Sequence, residues 1–392
     1  MIEINPRRIE QQLRNFHRAV EAYQQTEPFA RFLTRFFKEN KQMGASDRRM
    51  TSRLCYNFFR LGDSIPHLSV VDRLVIAEFL CEEESQFVAL YQPEWLPYIS
   101  APLTEKLNYL KEKGHAVAAD IFPFRSSLSP SVDVDAFTRS HLVQPDLFIR
   151  VQQNAKTLVA QALSAHGIDF EPLLDNAYRL PNRSKLQDIR KIDGLYEVQD
   201  LSSQQSLENL DLNPGEKWWD ACAASGGKSL LLLDRCPTID LLVSDIRLST
   251  LRNLDERFDK AKIKTLYRKK VLDFSRDIAH LMQGEAFDGI LLDVPCSGSG
   301  TWGRTPEMLS QFDVDSLQTF AALQRQVVAS TVRYLKPGGQ LMYITCSVFE
   351  AENEQIVQYL EEEHGLVLEE GGIIAGYNRK SDSMFAARMR KI

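Results

Sequence analysis

The stretch Asp220-Ala221-Cys222-Ala223-Ala224-Ser225-Gly226-Gly227-Lys228-Ser229-Leu230 decides the fold of this chain. Its Gly-Gly-Lys-Ser ending has the form of a triphosphate cradle. Such a loop also needs a glycine five residues before its second one, and Cys222 stands there. The turn is therefore read differently, as a small-residue loop between a strand ending at Asp220 and a short helix. Glycines at that place let backbone come close to a ligand and adopt positive φ.

Outward from this turn the chain alternates strand, loop and helix from about residue 215. "KWWDAC" reads as a strand, and the helix after the turn is ended by Pro237. "IDLLVSD" is the second strand, followed by a helix with Leu248, Leu251, Leu254 and Phe258 on one face. "FDGILLDV" and "QLMYITCS" are almost continuously apolar, as buried parallel strands are. Between them a long helix over "LQTFAALQRQVVASTVRYL" is expected to stop at Lys336-Pro337-Gly338-Gly339. The alternation predicts a doubly wound α/β domain.

Ligands of such sheets sit at the carboxyl ends of the strands, and acids stand there in this chain. Asp245 ends the second strand, where a carboxylate can accept ribose hydroxyls. Asp273, in "KKVLDF", either faces the adenine of a cofactor or caps a helix starting near Ser275. Asp293 ends "ILLDV". The glycine turn together with Asp245 points to an adenosine-type cofactor, with NAD still possible on the residues alone.

Two further motifs, "DVPCSGSGTWGR" (293–304) and "YITCSVFEAENE" (343–354), each put a cysteine just past a buried strand. Small residues surround Cys296 and leave room for a flat ring. A thiol becomes a nucleophile on losing its proton, which a partly exposed, electropositive site favours. Cys55, Cys81 and Cys236 read as core residues, and Cys222 as a packing residue of the turn.

Residues 1 to about 125 read as helical, with apolar residues at three- and four-residue steps, as in "FARFLTRFFKEN". Residues 1–60 carry twelve Lys/Arg against six Asp/Glu, whereas 61–125 carry five against ten. A basic face for RNA and ordinary solvated helices are both compatible with that asymmetry. "SSLSPS" (126–131) reads as a linker. A small α+β module follows, with "DLFIRV" and "AYRLP" as strands around the helix "AKTLVAQALSAHG". The expected domains are 1–130, helical; 131–200, a small RNA-recognition-like module; and 201–392, the Rossmann-like domain.

The composition is that of a globular chain: 392 residues, 44% hydrophobic, 26% charged, net charge −6. That charge gives no global attraction to polyanions, so nucleic acid has to be held by local patches such as "KAKIKTLYRKK" (260–270). The six cysteines form no C-x-x-C pair and no zinc-like cluster. No metal is expected. No apolar run nears the roughly 20 residues that span a bilayer, and the charged start lacks a signal core. A cytoplasmic monomer with no membrane partner is the expectation.

The strings "DACAASGGKS", "DVPCSGSGTWGR", "LKPGGQLMYITCSVFEAENEQIV" and "YEVQDLSSQ" resemble motifs of the Nol/Nop/Sun RNA cytosine-5 methyltransferases. The nearest likeness is to members acting on bacterial 16S ribosomal RNA, from about residue 140 to 392. Over 1–125 the likeness to their helical, antitermination-factor-like domain is loose. The resemblance implies a Rossmann-like methyltransferase domain using S-adenosylmethionine. Cys222, Ala223, Ala224, Ser225, Gly226, Gly227 and Lys228 would line its methionine part, Asp245 its ribose, Asp273 its adenine side, and Asp293 the transfer site. Ser225 departs from the family, which usually has proline there. The family assigns attack on cytosine C6 to the cysteine of "TCS", here Cys346, and enzyme release to that of "PC", here Cys296. Residue chemistry alone leaves that choice open, because DNA cytosine methyltransferases attack from the "PC" cysteine. Ribosomal RNA is the first expected substrate and transfer RNA the second. An NAD-linked or NTP-using enzyme and a non-catalytic RNA-binding protein are the competing readings. Cys222 and a missing fingerprint glycine disfavour the former, and the joint presence of Asp293, Cys296 and Cys346 disfavours the latter.

Overall fold

The structure, a computed structural model, describes residues 4–117 and 121–392. It divides into two compact units: residues 1–126, 133–144 and 302–314, and residues 127–132, 145–301 and 315–392.

The first unit is helical. Pro6–Ala22 starts with proline in its first turn, and Asn5 Oδ1 accepts from Arg8 N at 3.2 Å. Ile9, Phe16 and Ala19 recur at helical spacing and are buried. They meet Phe29, Phe32 and Phe36 of helix Phe29–Glu39, and Leu54 and Phe58 of helix Ala45–Phe59. The Phe16 and Phe58 rings pack edge to face, centroids 5.4 Å apart. Helix Phe29–Glu39 follows Pro28, which has no capping side chain. The buried Glu307, from the 302–314 insertion, supplies the acceptor instead, taking Phe29 N at 3.1 Å.

The second unit holds two sheets. In the smaller, β1 (Leu147–Val151) pairs antiparallel with β3 (Ala177–Leu180) and β4 (Tyr196–Val198), and β2 (Glu171–Pro172) edges β3. Helix Lys156–Ala165 covers it through Val159 and Leu163, against Ile149 and Val151. Arg150, almost fully buried in β1, donates to Gln199 and ion-pairs with Asp234, anchoring this sheet to the next layer.

The larger sheet contains β5 (Lys217–Asp220), β6 (Asp240–Asp245), β7 (Tyr267–Val271), β8 (Phe287–Asp293), β9 (Leu335–Thr345), β10 (Leu366–Ile374) and β11 (Met384–Lys391). Its order is β10-β11-β9-β8-β5-β6-β7. The five strands β5 to β9 run parallel, and β11 and β10 are antiparallel additions. Alternate residues face two cores: Trp219, Ile290, Leu292 and Tyr343 one, and Trp218, Leu291, Met342 and Ile344 the other. Gly289 of β8 makes room for this, since a Cβ there would sit 2.4 Å from the Trp218 ring. From β5 the chain winds one way to β6 and β7, then returns to β8 on the other side. The β5/β8 gap is thus the switch point at which such sheets hold ligands.

Two local expectations are corrected. The long helix ends at Thr331, and a 3₁₀ turn over Val332–Tyr334 leads straight into β9. Lys336-Pro337-Gly338-Gly339 form a bulge inside that strand rather than a helix stop. Leu335 pairs with Phe287 and Gln340 with Gly289, so these four residues are extruded, with Gly338 at φ +75°. Asp273 caps no helix: its Oδ1 accepts from Ser275 N and Oγ at 2.9 and 2.6 Å, closing a turn that does not propagate.

No helix among the described residues is long and apolar enough to cross a membrane.

Candidate active site

Every site residue expected from the sequence lies in the second unit, at the carboxyl ends of β5, β6, β7, β8 and β9 or in the turns and helix start that follow them. The glycine turn is shaped by conformational demand. Gly226 has φ +83°, and a Cβ there would approach Leu254 Cγ and Phe258 Cε1 to 2.7 and 2.8 Å. The helix starting at Gly227 can therefore press onto helix Leu248–Lys260. Ala224 is held at φ +46°, and its N–H donates to Asp245 Oδ2 at 3.1 Å. Asp245 Oδ1 accepts from Arg247 N at 2.8 Å and Thr250 Oγ1 at 2.9 Å. This carboxylate thus joins the first and second loops of the cleft. Ser225 Oγ accepts from Arg257 Nη1 at 3.3 Å, and Arg257 Nε pairs with Glu197 at 2.6 Å. A side-chain tether thus restrains the turn where a proline would have stiffened it.

Lys228 answers the question raised by its motif. Its Nζ lies 3.0 Å from Asp293 Oδ2, across the switch point. Lys228 is nearly buried, whereas Asp293 keeps about a third of its side chain exposed. The lysine orients an acid at the end of β8. Asp220, beneath the turn, is fully buried and accepts from Ser229 Oγ, while its other oxygen has no partner. Burial, with the nearby charges of Asp293 and Asp245, pushes its carboxyl up to about 7 against the help of Ser229 and Lys228. Burial and the same carboxylates push the Cys222 thiol well above its usual range, which fits a packing residue.

The loops after β8 and β9 bring Cys296 and Cys346 together, with Sγ atoms 3.2 Å apart. Both are free and partly exposed. The hydrogen bond with Cys346, burial, and the charges of Cys346 and Glu352 raise the Cys296 thiol well above its ordinary value. Either sulfur can donate in this contact, and the raised Cys296 thiol sits hydrogen-bonded to Cys346. Asp273 stands apart at the end of β7, partly exposed and paired with Arg276 at 3.3 Å.

Glu352 did not stand out in the sequence, although it lies within "CSVFEAENE". Fully buried, it accepts from Ser297 N at 2.8 Å, Ser297 Oγ at 2.6 Å, Gln324 Nε2 at 3.2 Å and Ser347 Oγ. The only sequence signal was an acid five residues beyond Thr345-Cys346-Ser347, and ordinary surface glutamates give the same one.

The basic stretch 260–270 is largely neutralised. Arg268 pairs with Asp240 and Glu285, Lys269 with Asp255, Lys270 with Glu285, and Lys260 with Asp193. Its strand, β7, is the edge of the sheet. No group of three or more His, Cys, Asp or Glu among the described residues could hold a metal ion.

Residues 207–383 match the sequence model of the family described as 16S rRNA methyltransferase RsmB/F. The ribosomal RNA small subunit methyltransferase B of Xylella fastidiosa is 41% identical over 161 residues, which is 41% of this chain and 38% of that protein. The chain thus spans about two fifths of the length of that curated relative. The crystal structure of PH0851 superposes with a TM-score of 0.72 at 21% identity, covering 100% of both chains. A methyltransferase homologue from Pyrococcus horikoshii gives a TM-score of 0.57 at 22% identity, covering 73% of this chain and 98% of its own. The Rossmann-like methyltransferase fold accounts for the seven-stranded sheet and its switch point.

Proposed function

We infer, from a chain whose residues 207–383 match the sequence model of the 16S rRNA methyltransferase RsmB/F family, that this protein methylates C5 of a cytosine in 16S ribosomal RNA through a cysteine adduct. The observation that carries this reading is the pair of free thiols, Cys296 and Cys346, 3.2 Å apart in the loops after β8 and β9, with the part-exposed carboxylate of Asp293 at the end of β8.

The cleft fits S-adenosylmethionine. Gly226 leaves the turn without a side chain, Asp220 has an unpartnered buried oxygen beneath it, and Asp245 stands at the next strand end. In this reading residues 222–228 and Asp245 hold the cofactor, and Asp273 borders its far side. When bound, it supplies an electrophilic methyl on a sulfonium.

The chain's own groups do the rest. Cytosine C5 is a poor nucleophile, and thiolate addition at C6 makes it enamine-like. We assign the attack to Cys346, the cysteine of the "TCS" motif, with Cys296 3.2 Å away as its partner. Covalent addition divides one hard step into easier ones. Asp293, oriented by Lys228, accepts from the N4 amino group and holds the N3/N4 edge of the base, and the Lys228 ammonium beside it offsets the negative charge that thiolate addition builds there. After methyl transfer Cys296, having passed its own proton to solvent, takes the C5 proton; the C5–H electron pair re-forms the C5–C6 double bond as the C6–S bond breaks, and Cys346 leaves as thiolate. The base must leave its stack to reach both thiols. The helical unit, with its basic N-terminal segment, and the small sheet are the parts proposed to grip RNA.

The test is bisulfite sequencing of RNA from cells with and without the gene. One 16S cytosine should lose protection on deletion and regain it with the wild-type gene, but not with Cys346→Ala. A changed transfer-RNA position would move the substrate assignment, and no changed cytosine would refute the activity.

A further inference from the structure

We propose that Glu352 is a positioning residue for the two-thiol centre: its buried carboxylate ties the Cys296 loop to the Cys346 loop and thereby makes the two thiols unequal. The inference rests on the two-cysteine reading of the site.

Three observations carry it. The first is connectivity. Ser297 follows Cys296 and Ser347 follows Cys346, and both give hydrogen bonds to the one carboxylate. Gln324, from helix Ser316–Thr331, donates to Glu352 and also to Pro295 O at 3.0 Å, so the residue before Cys296 is held by the same network. The second is anchorage. Tyr343 OH donates to Glu352 O at 2.7 Å, and Glu352 N donates to Phe349 O at 3.1 Å. Its neighbour Asn353 accepts from Thr345 Oγ1 at 2.6 Å and donates to Ser347 O at 3.1 Å. The clamp therefore stands on a fixed backbone and not on a mobile loop.

The third observation is charge. All four donors to the carboxylate are neutral, and the residue is fully buried. A buried carboxylate without a cationic partner is costly to keep. Hydrogen bonds alone do not require the charge. An amide could occupy the same space, accept from Ser297 N and Gln324, and donate to the rotatable hydroxyls of Ser297 and Ser347. What an amide lacks is the negative charge beside Cys296. The other groups facing Cys296 are Cys346, the backbone at Gly298 and the buried Tyr343 hydroxyl. Glu352 therefore does two things. It fixes the thiols at 3.2 Å, and its charge beside Cys296 disfavours a second negative charge there and not at Cys346.

The experiment uses the full chain without RNA. Iodoacetamide alkylation at fixed pH is followed by peptide mass spectrometry, which gives the ratio of Cys346 to Cys296 modification. The wild type should alkylate Cys346 first. Glu352→Gln should lower the ratio about tenfold, the effect of one pH unit on a thiol, and methyl transfer should fall with it. A protein in which Glu352 only fills space would keep its ratio. If Glu352→Gln does not fold, Ser297→Ala removes one arm of the clamp and should lower the ratio in the same direction. A ratio within twofold of wild type in the folded variant overturns the proposal. Failure of the underlying reading looks different: the wild type transfers no methyl to 16S RNA, whatever the alkylation ratio does.

Discussion

Lys228 Nζ and Asp293 Oδ2 lie 3.0 Å apart, joining the turn after β5 to the loop after β8 across the switch point of the sheet. Each holds the other in place, so neither should be removable alone without damage. Lys228→Met and Asp293→Asn should each cut methyl transfer at least tenfold, and the double variant should be little worse than the poorer single one. A coupling of about 1 kcal/mol or more in the double-mutant cycle is expected for groups in direct contact. Additive losses would mean that the pair does not act as a unit.

Gly226→Ala tests the turn itself. The new Cβ would need a left-handed backbone and would press on Leu254 and Phe258. The expected cost is about 1–3 kcal/mol of stability, seen as a lower denaturation midpoint, together with weaker cofactor binding. Wild-type stability would contradict the close packing at this point.

Asp220 gives a pH signature. Its carboxyl, ordinarily near 3.8, is raised to about 7 by burial, so the fold prefers the neutral acid. The resulting stabilisation is complete below about pH 3.8, declines as pH rises, and is lost through pH 7. Asp220→Asn should match the wild type in acid and exceed it above pH 7, by up to about 4 kcal/mol. Parallel melting curves from pH 5 to 8 would show that the group is not buried as a neutral acid.

Most of the large sheet was legible because its strands are short apolar runs between turn signals, and helices of clear period separate them. The cysteine pair was legible for the same reason: Cys296 and Cys346 follow two such runs with one crossover between. The bulge at 336–339 was not, because proline and two glycines signal a helix stop as readily as an extruded segment of a strand. The helix-cap alternative for Asp273 failed because a side chain that closes a turn gives the same local pattern as a helix cap. The role of Glu352 was invisible because it depends on Ser297 and Gln324, distant in sequence, turning toward it. The basic stretch at 260–270 looked free only because Asp193, Asp240, Asp255 and Glu285 are far from most of it in the chain.

Asp245→Ala should weaken S-adenosylmethionine binding roughly tenfold to a hundredfold, as loss of a charged hydrogen bond costs about 1.5–3 kcal/mol. Because Asp245 also accepts from Ala224 N, Arg247 N and Thr250 Oγ1, a loss of stability should accompany the weaker binding. Calorimetric titration measures the first and thermal melting the second. Wild-type affinity in a destabilised variant would confine Asp245 to the loop and remove it from the ribose.

The account turns on which thiol attacks, and denaturing electrophoresis after incubation with 16S RNA and S-adenosylmethionine measures that directly. Cys296→Ala should add through Cys346, accept the methyl and stall, giving a slow-migrating protein–RNA band. Cys346→Ala should give none. A band from Cys346→Ala with none from Cys296→Ala, or full methylation by both variants without any band, would contradict the account.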